Sequence, residues 1–152
     1  MLKIDFPKPS FNIKETNNKD YIFDIVRKKW ILLTPEEWVR QNLVAYLTQS
    51  LLYPISLLAV EKEINVNGLK RRCDIVVYSN SKPWMIIECK EPEVALNEKV
   101  LTQILHYNIT LDVPYLIISN GNLSYGWFIE TGKPITINEF PEFGLISRNK
   151  IV

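Results

Sequence analysis

Two carboxylates and a lysine lie at the ends of neighbouring apolar stretches. Asp74 directly precedes one apolar stretch, Glu88 directly follows the next, and Lys90 comes two residues later. If the two stretches form a hairpin that is symmetric about Ser81, residues whose numbers sum to 162 are opposed. Asp74 then faces Glu88, with Cβ atoms about 5 Å apart. Strand periodicity places Lys90 on the same face as Glu88.

These residue types in this arrangement predict a metal site. Opposed carboxylates repel each other unless a positive charge lies between them. Mg²⁺ provides that charge, because it prefers oxygen ligands and keeps several waters for a nucleophile. We expect Asp74, Glu88 and the backbone carbonyl of Cys89 to bind Mg²⁺, with Mn²⁺ as a substitute. Lys90 would orient or deprotonate an attacking water, or neutralise charge on a phosphate. The pattern predicts metal-assisted phosphodiester hydrolysis.

The same residues also have an ordinary structural interpretation. Asp74 and Glu88 would then be strand-end residues in solvent, with Lys90 as their counter-ion. A register shifted by one residue would place the two carboxylates on opposite faces of the sheet. The symmetric register also predicts that Cys73 and Cys89 lie opposite each other on the other face, as free thiols.

Apolar periodicity and turn residues predict the elements that position these side chains. We expect two helices, a first that begins with Thr34 as N-cap and Pro35 at its first position, and a second at about 94–110. The expected strands lie at 21–26, 30–33, 57–66, 71–78, 84–90, 114–119 and 125–130. Strands 71–78 and 84–90 are apolar on both faces and should be central. The sequence predicts an α/β sandwich with a central mixed sheet flanked by helices.

Composition fits a globular chain with one main core. Of the 152 residues, 47% are hydrophobic and 23% charged, which excludes a disordered or fibrous protein. We expect a proline-broken, loosely attached arm at 1–20, with a short strand near Phe11–Ile13, and a single domain at 21–152. No apolar run approaches the roughly 20 residues of a membrane span, and the N-terminus lacks a signal-peptide pattern. The chain is therefore expected in the cytoplasm, with no membrane partner.

Net charge indicates that any nucleic-acid contact must be local. The formal charge is only +1, so there is no overall basic footprint. The two candidate patches for phosphate are Arg27-Lys28-Lys29 and Lys70-Arg71-Arg72. Runs of three basic residues are common on solvated surfaces, so each patch is as compatible with plain solvation as with phosphate contact.

Several of these motifs together resemble a known family. Asp74 followed by Glu88-Cys89-Lys90 resembles the D…(D/E)-x-K core of restriction-endonuclease-like nucleases. The helix start Thr34-Pro35-Glu36-Glu37-Trp38-Val39-Arg40-Gln41 and the pair Gln103-x-x-x-Tyr107 are similar to the N-terminal nuclease domain of type I restriction enzyme R subunits. The resemblance implies a restriction-endonuclease-like fold and Mg²⁺-dependent cleavage of DNA.

The resemblance also assigns roles to individual residues. Asp74 and Glu88 would be metal ligands and Lys90 the catalytic lysine. It implies that Glu37 is the helix glutamate that reaches the metal through water, although Glu37 also fits a capping box with Thr34 and Glu36 is its close competitor.

The resemblance further implies that Gln103 and Tyr107 assist at the substrate. They lie one turn apart on one helix face. The alternative is a half-buried tyrosine with a glutamine beside it. Cys73 stands where the family's fuller motif often has proline, a tolerated change.

The resemblance leaves some partners and activities open. R subunits continue into a helicase motor, but this sequence has no glycine-rich phosphate loop, so translocation is not expected of it. We expect DNA as partner, a separate motor or specificity subunit, and a homodimer if both strands are cut. The alternative from another class is a catalytically silent nucleic-acid-binding or assembly module. A third is a hydrolase of RNA or branched junctions.

Overall fold

A computed structural model of the protein describes residues 1–144, which form two sheets and two α-helices. The smaller sheet is antiparallel and lies first in the chain. Its strands, in spatial order, are β1 (Ile13–Thr16), β2 (Lys19–Asp24) and β3 (Lys29–Leu32). Ile22 and Asp24 are fully buried, so one face of this sheet covers the rest of the domain.

The larger sheet has six strands that are neighbours in chain order. They are β4 (Leu58–Val66), β5 (Leu69–Ser79), β6 (Lys82–Cys89), β7 (Tyr115–Ser119), β8 (Ser124–Glu130) and β9 (Lys133–Ile137). Strands β6 and β7 are parallel, and all other neighbours are antiparallel. A parallel pair needs a crossover connection, and a helix supplies it here. The predicted mixed sheet is confirmed.

The two α-helices begin at side-chain caps. Helix α1 (Pro35–Ala45) starts after Thr34, whose Oγ1 accepts a hydrogen bond from the Glu37 N–H at 3.1 Å. It continues as a π-helical turn (Tyr46–Ser50), and a short 3₁₀ turn (Ile55–Leu57) leads into β4. Helix α2 (Glu98–Ile109) starts after Asn97, a few residues later than predicted because Asn97 is its N-cap. No helix in residues 1–144 is long and apolar enough to span a membrane.

The apolar core lies on both faces of the large sheet. Under α1, the side chains of Leu43 and Leu47 pack with Ile75 and Ile87 of the central strands. On the opposite face, Val76 and Ile86 pack with residues near α2, including Leu105 and Leu111. The central strands β5 and β6 are covered on both sides, which explains their continuous apolar runs. The predicted α/β sandwich with helices on its faces is confirmed.

The N-terminal residues are packed rather than loosely attached. Leu2 is 4% exposed within the core beneath α1, and its N–H donates to the Ser124 carbonyl at 2.8 Å. The short strand expected near Phe11–Ile13 is β1, which pairs with β2. The boundary expected between residues 20 and 21 falls inside β2. Of the predicted domain 21–152, residues 145–152 lie outside the described part of the chain.

Strand β9 was not predicted from the sequence. Its second residue is Pro134, which lowers strand propensity, and four of its five residues are exposed. Proline is tolerated here because β9 is an edge strand with one side free of ladder hydrogen bonds.

Candidate active site

The register of the central hairpin agrees with the prediction along the strand bodies. The pairs Ile75 with Ile87, Val76 with Ile86, and Val77 with Met85 all sum to 162. Near the turn the register shifts by one residue between Val77 and Tyr78, where Tyr78 pairs with Pro83. The turn is therefore two residues long, and Asn80 and Ser81 both have positive φ, of 52° and 62°. A β-bulge at Trp84 absorbs the difference.

This register brings the two predicted metal ligands together. Asp74 directly precedes Ile75 in β5 and Glu88 directly follows Ile87 in β6, so the two carboxyl groups are close enough for the charge of Asp74 to act on Glu88. The Cys89 N–H also donates to Asp74 Oδ2 at 2.8 Å. Burial, and then the negative charge of Asp74, raise the pKa of Glu88 to about 8 from the ordinary 4.5. The two carboxylates therefore repel each other when both are charged, and a cation between them would stabilise the charged pair.

Lys90 lies directly beyond β6 and its charge reaches the pair. It lowers the pKa of Glu88 against the larger effects of burial and Asp74. Its own backbone N–H donates to the Ser119 carbonyl at 2.8 Å, which continues the β6–β7 pairing and fixes its position. The charge of Lys90 thus acts on the carboxylate pair, while only its backbone takes part in the β6–β7 pairing.

Arg40 of α1 is a second cation at the site, and the sequence analysis did not assign it a role. Its Nη2 donates to Asp74 Oδ1 at 2.7 Å, to Glu61 Oε1 at 2.9 Å and to Glu36 Oε1 at 3.0 Å. Its Nη1 donates to Glu37 Oε2 at 2.9 Å. Burial disfavours the charge, but hydrogen bonds from Arg40 to Asp74 and Glu37 outweigh it and raise the pKa of Arg40. The guanidinium therefore stays charged and holds four carboxylates.

The structure distinguishes the two helix glutamates. Glu37 is 2% exposed and lies between Arg40 and Arg27, which also binds Asp24 at 2.6 Å. Glu36 is about half exposed, with a side-chain exposure of 45%. Burial and then the charge of Asp74 raise the pKa of Glu36, and Lys90 lowers it. Glu36 thus has the Asp74 and Lys90 charges as electrostatic neighbours, Glu37 contacts Arg27 and Arg40, and the predicted role of Glu37 at the metal stays a prediction.

Glu61 joins the site through an irregularity in β4. It has a positive φ of 52° and lies between the pairs Val60 with Ile75 and Lys62 with Cys73, so it is opposite Asp74. Beyond it the strand faces reverse. Val60 belongs to the core under α1, whereas Ile64 belongs to the core on the α2 side. No sequence signal marks this kink, because glutamate at positive φ is uncommon.

The kink overturns the predicted pairing of the two cysteines on one face. Cys73 packs in the core on the α2 side, and Cys89 packs in the core under α1. Both are buried free thiols, as expected. Burial raises the pKa of the Cys89 thiol well above its ordinary value, so Cys89 offers the site its backbone rather than a thiolate.

The structure does not join the predicted pair on α2 to the carboxylates. Gln103 is exposed, and Tyr107 is 57% exposed with the Arg71 guanidinium 4.0 Å from its ring centre. No hydrogen bond or ion pair in the described chain links either side chain to Asp74 or Glu88. The roles of Gln103 and Tyr107, and the alternative of a half-buried tyrosine beside a glutamine, therefore stay predictions.

The arginines of the two basic patches contact other side chains of the protein. Arg27 binds Asp24 and Glu37, Arg72 binds Glu61 at 2.9 Å, and Arg71 stacks on the Tyr107 ring. Of these three arginines, Arg72 alone is well exposed, at 68%.

The carboxylates of the site offer the oxygen ligands that a hard divalent cation prefers. Asp74 and Glu88 are neighbouring oxygen-donor side chains whose negative charges repel each other, and Mg²⁺ prefers such oxygen ligands. In residues 1–144 no three His, Cys, Asp or Glu side chains are grouped to hold a metal. The predicted set has two side chains and one backbone carbonyl, so water molecules would complete it.

The raised pKa of Glu88 predicts a pH dependence of stability without metal. The folded protein keeps a proton on Glu88 between pH 4.5 and about 8, where the unfolded chain has lost it. Its contribution is therefore fully present below pH 4.5 and is lost as pH rises to about 8. Thermal unfolding in EDTA should show a larger loss between pH 5 and 8.5 for wild type than for Glu88→Gln. Equal losses would contradict the raised pKa of Glu88.

Comparison with known proteins gives one family. The model of the type I restriction enzyme R protein N terminus (HSDR_N) matches residues 35–143, from the first residue of α1 to beyond β9. Comparisons with curated proteins and with solved structures gave no match. The match covers both carboxylates, Lys90, both helices and the whole large sheet. The chain, with its restriction-endonuclease-like α/β fold, belongs to the type I restriction enzyme R protein N-terminus family.

Proposed function

We propose that this domain is a Mg²⁺-dependent deoxyribonuclease that hydrolyses phosphodiester bonds. The observation that carries the proposal is that Asp74, in the middle of β5, lies close to Glu88 near the end of β6, with Lys90 directly beyond β6. Membership of a restriction enzyme family supports DNA as the substrate. It also supports partners of a restriction system, a motor or specificity subunit.

Different residues of the chain would bind the metal and transfer the proton. Asp74, Glu88 and the Cys89 carbonyl would hold Mg²⁺, and Mn²⁺ would substitute. When bound, the metal supplies a Lewis acid and an activated water. Asp74 is fixed in position, because Arg40 holds Oδ1 and the Cys89 N–H holds Oδ2. Lys90 would hold or accept the proton of the attacking water.

Plasmid cleavage tests the proposal directly. Purified protein is incubated with supercoiled DNA in Mg²⁺, in Mn²⁺ and in EDTA, and the same conditions are applied to RNA and to branched junctions. We expect metal-dependent cleavage of DNA that EDTA stops. Preferred cleavage of RNA or of a junction would reassign the substrate, and the ratio of nicked to linear product reports whether two sites act together.

One observation favours the catalytically silent module as a second candidate. Both Asp74 oxygens already accept hydrogen bonds, from Arg40 and from the Cys89 backbone, so the carboxylate is satisfied without metal. A silent nucleic-acid-binding or assembly module needs no more than that. Such a module would bind DNA in EDTA and would show no heat of Mn²⁺ binding.

The two helix glutamates give a prediction that separates structure from catalysis. Glu37→Gln should lower the free energy of unfolding by about 1–3 kcal/mol, because the buried Arg27 and Arg40 lose part of their charge partner. Glu36→Gln should leave stability nearly unchanged, because Glu36 is half exposed. We expect Glu36→Gln to weaken Mn²⁺ affinity measured by calorimetry. The reverse pattern would restore Glu37 as the helix glutamate near the metal.

A further inference from the structure

The outer face of the small sheet is aromatic and basic. Residues alternate between the two faces of a strand, so Lys14, Tyr21, Phe23, Trp30 and Leu32 share the face opposite the buried Ile22 ladder. We call these five residues the aromatic face. Trp30 is 39% exposed and Leu32 is 42% exposed. Two large apolar side chains exposed side by side on one sheet face form a candidate binding surface.

The geometry of the aromatic face is that of a stacking platform. Phe23 packs edge-on against Trp30, with ring centres 5.5 Å apart and planes at 69°. Lys14 Nζ lies 4.3 Å from the Trp30 ring centre. The indole is thereby held in place by one aromatic and one cationic neighbour. A fixed, partly exposed indole is what an unpaired base stacks upon.

Charge on this face fits a phosphate backbone. Lys14 and Lys19 occupy strand positions on the aromatic side. Glu15 and Asp20, which are paired with each other, alternate to the opposite side, and Asp24 is buried against Arg27. Within β1–β3 the aromatic side therefore carries lysines and no carboxylate. A face that combines aromatic rings with lysines and excludes carboxylates is complementary to a nucleic acid.

The small sheet is fixed to the candidate active site by successive ion pairs. Arg27 binds Asp24 of β2 and Glu37 of α1, and Arg40 binds Glu37 at 2.9 Å and Asp74 at 2.7 Å. The aromatic face is therefore held in a constant position relative to Asp74.

We propose that the aromatic face binds single-stranded DNA by stacking an unpaired base on Trp30, with Lys14 and Lys19 at the backbone. Bases inside a duplex have their ring faces covered by neighbours, so an unpaired stretch is what exposes one to Trp30. The inference rests on the proposed function in taking DNA as the nucleic acid. It gives the nuclease a preference for DNA with a single-stranded segment.

Fluorescence anisotropy of a labelled 20-nucleotide dT strand, measured in EDTA, tests this without cleavage. We expect the dT strand to bind more tightly than a blunt duplex. Trp30→Ala should weaken dT binding about tenfold or more, and Trp30→Phe should retain it, because a ring is kept. Lys14→Ala should lower the salt slope by about 0.7. Exposed residues of β9 provide matched controls, Ile135→Ala and Lys133→Ala, which should bind as wild type.

Each other outcome has a defined meaning. Equal dT binding by wild type and Trp30→Ala, with both shown to be folded by thermal unfolding, overturns the proposal. Absence of dT binding by wild type overturns it too, even if plasmid cleavage is observed. Self-association that Trp30→Ala abolishes assigns the face to a second copy and also overturns it. Binding of dT without cleavage would support DNA binding by the aromatic face and would contradict the proposed nuclease activity.

Discussion

Cleavage by the Lys90→Ala protein should fall at least a hundredfold, with fold and metal binding retained. A positioned proton-transfer group contributes about 10²–10⁴-fold, and Lys90 is a cation whose charge lowers the pKa of Glu88. Its position depends on the backbone bond to Ser119, which alanine keeps. The measurement is the initial rate of plasmid cleavage in Mg²⁺.

A matched pair of variants gives this prediction its control. Lys133→Ala removes an exposed lysine of β9 and should cleave at the wild-type rate. Lys90→Arg keeps the charge but cannot give up its proton at neutral pH. Retained activity in Lys90→Arg would assign Lys90 to charge neutralisation, and lost activity would assign it to proton transfer. Wild-type cleavage by Lys90→Ala would contradict the assignment of the site.

Loss of the Arg40 guanidinium should be the most destabilising single change at the site. Arg40→Met keeps much of the side-chain volume but leaves Asp74 and Glu37 without their cation, and removing one partner of a buried ion pair costs about 3–5 kcal/mol. For a domain of this size, unfolding should occur about 6–20 °C lower. Thermal unfolding in EDTA at neutral pH measures it.

Arg72→Ala is the control for this effect, because Arg72 binds the same Glu61 from the surface. Its side chain is 68% exposed, whereas that of Arg40 is 7% exposed. A solvent-exposed ion pair contributes about 1 kcal/mol or less, so Arg72→Ala should unfold near the wild-type temperature. Similar unfolding temperatures for Arg40→Met and wild type would show that Arg40 does not hold the site together.

Sequence patterns predicted the central hairpin because the apolar runs of β5 and β6 constrain its register. Pairing Ile75 with Ile87 places both side chains in one core, and any single shift would expose them. The predicted position of the turn was wrong by one residue. The bulge at Trp84 compensates for this shift, so the predicted pairs along the strand bodies are correct. A bulge depends on local twist and packing, which one sequence does not display.

The composition of the acidic site was less predictable. Glu36 and Glu37 are adjacent in sequence, and only a contact from Arg27, in the turn between β2 and β3, decides which one is buried. Glu61 reaches Asp74 through a backbone kink, and Arg40 acts through tertiary contacts with both. Such contacts depend on the packed arrangement of several elements, so the spacing of residues in one chain could not reveal them.

The N-terminal arm was misjudged for a similar reason. Its prolines and polar residues indicated a loose segment, yet Leu2 occupies a place against Gly126, where a Cβ atom would lie 2.8 Å from the Leu2 side chain. Ile4 and Phe6 also pack against this core, but an apolar alternation this short, followed by Pro7, carries too little periodicity for a sequence analysis to detect.

Isothermal titration calorimetry with Mn²⁺ tests the central claim, that Asp74 and Glu88 form a metal site, most directly. Wild type should bind Mn²⁺ with a measurable heat, and Lys90→Ala should bind it as well. Asp74→Asn, which keeps the shape of the side chain but removes its charge and one of its two acceptor oxygens, should abolish the heat. Thermal unfolding of the same samples shows that each variant is folded. Absence of binding by wild type, or unchanged binding by folded Asp74→Asn, would contradict the claim.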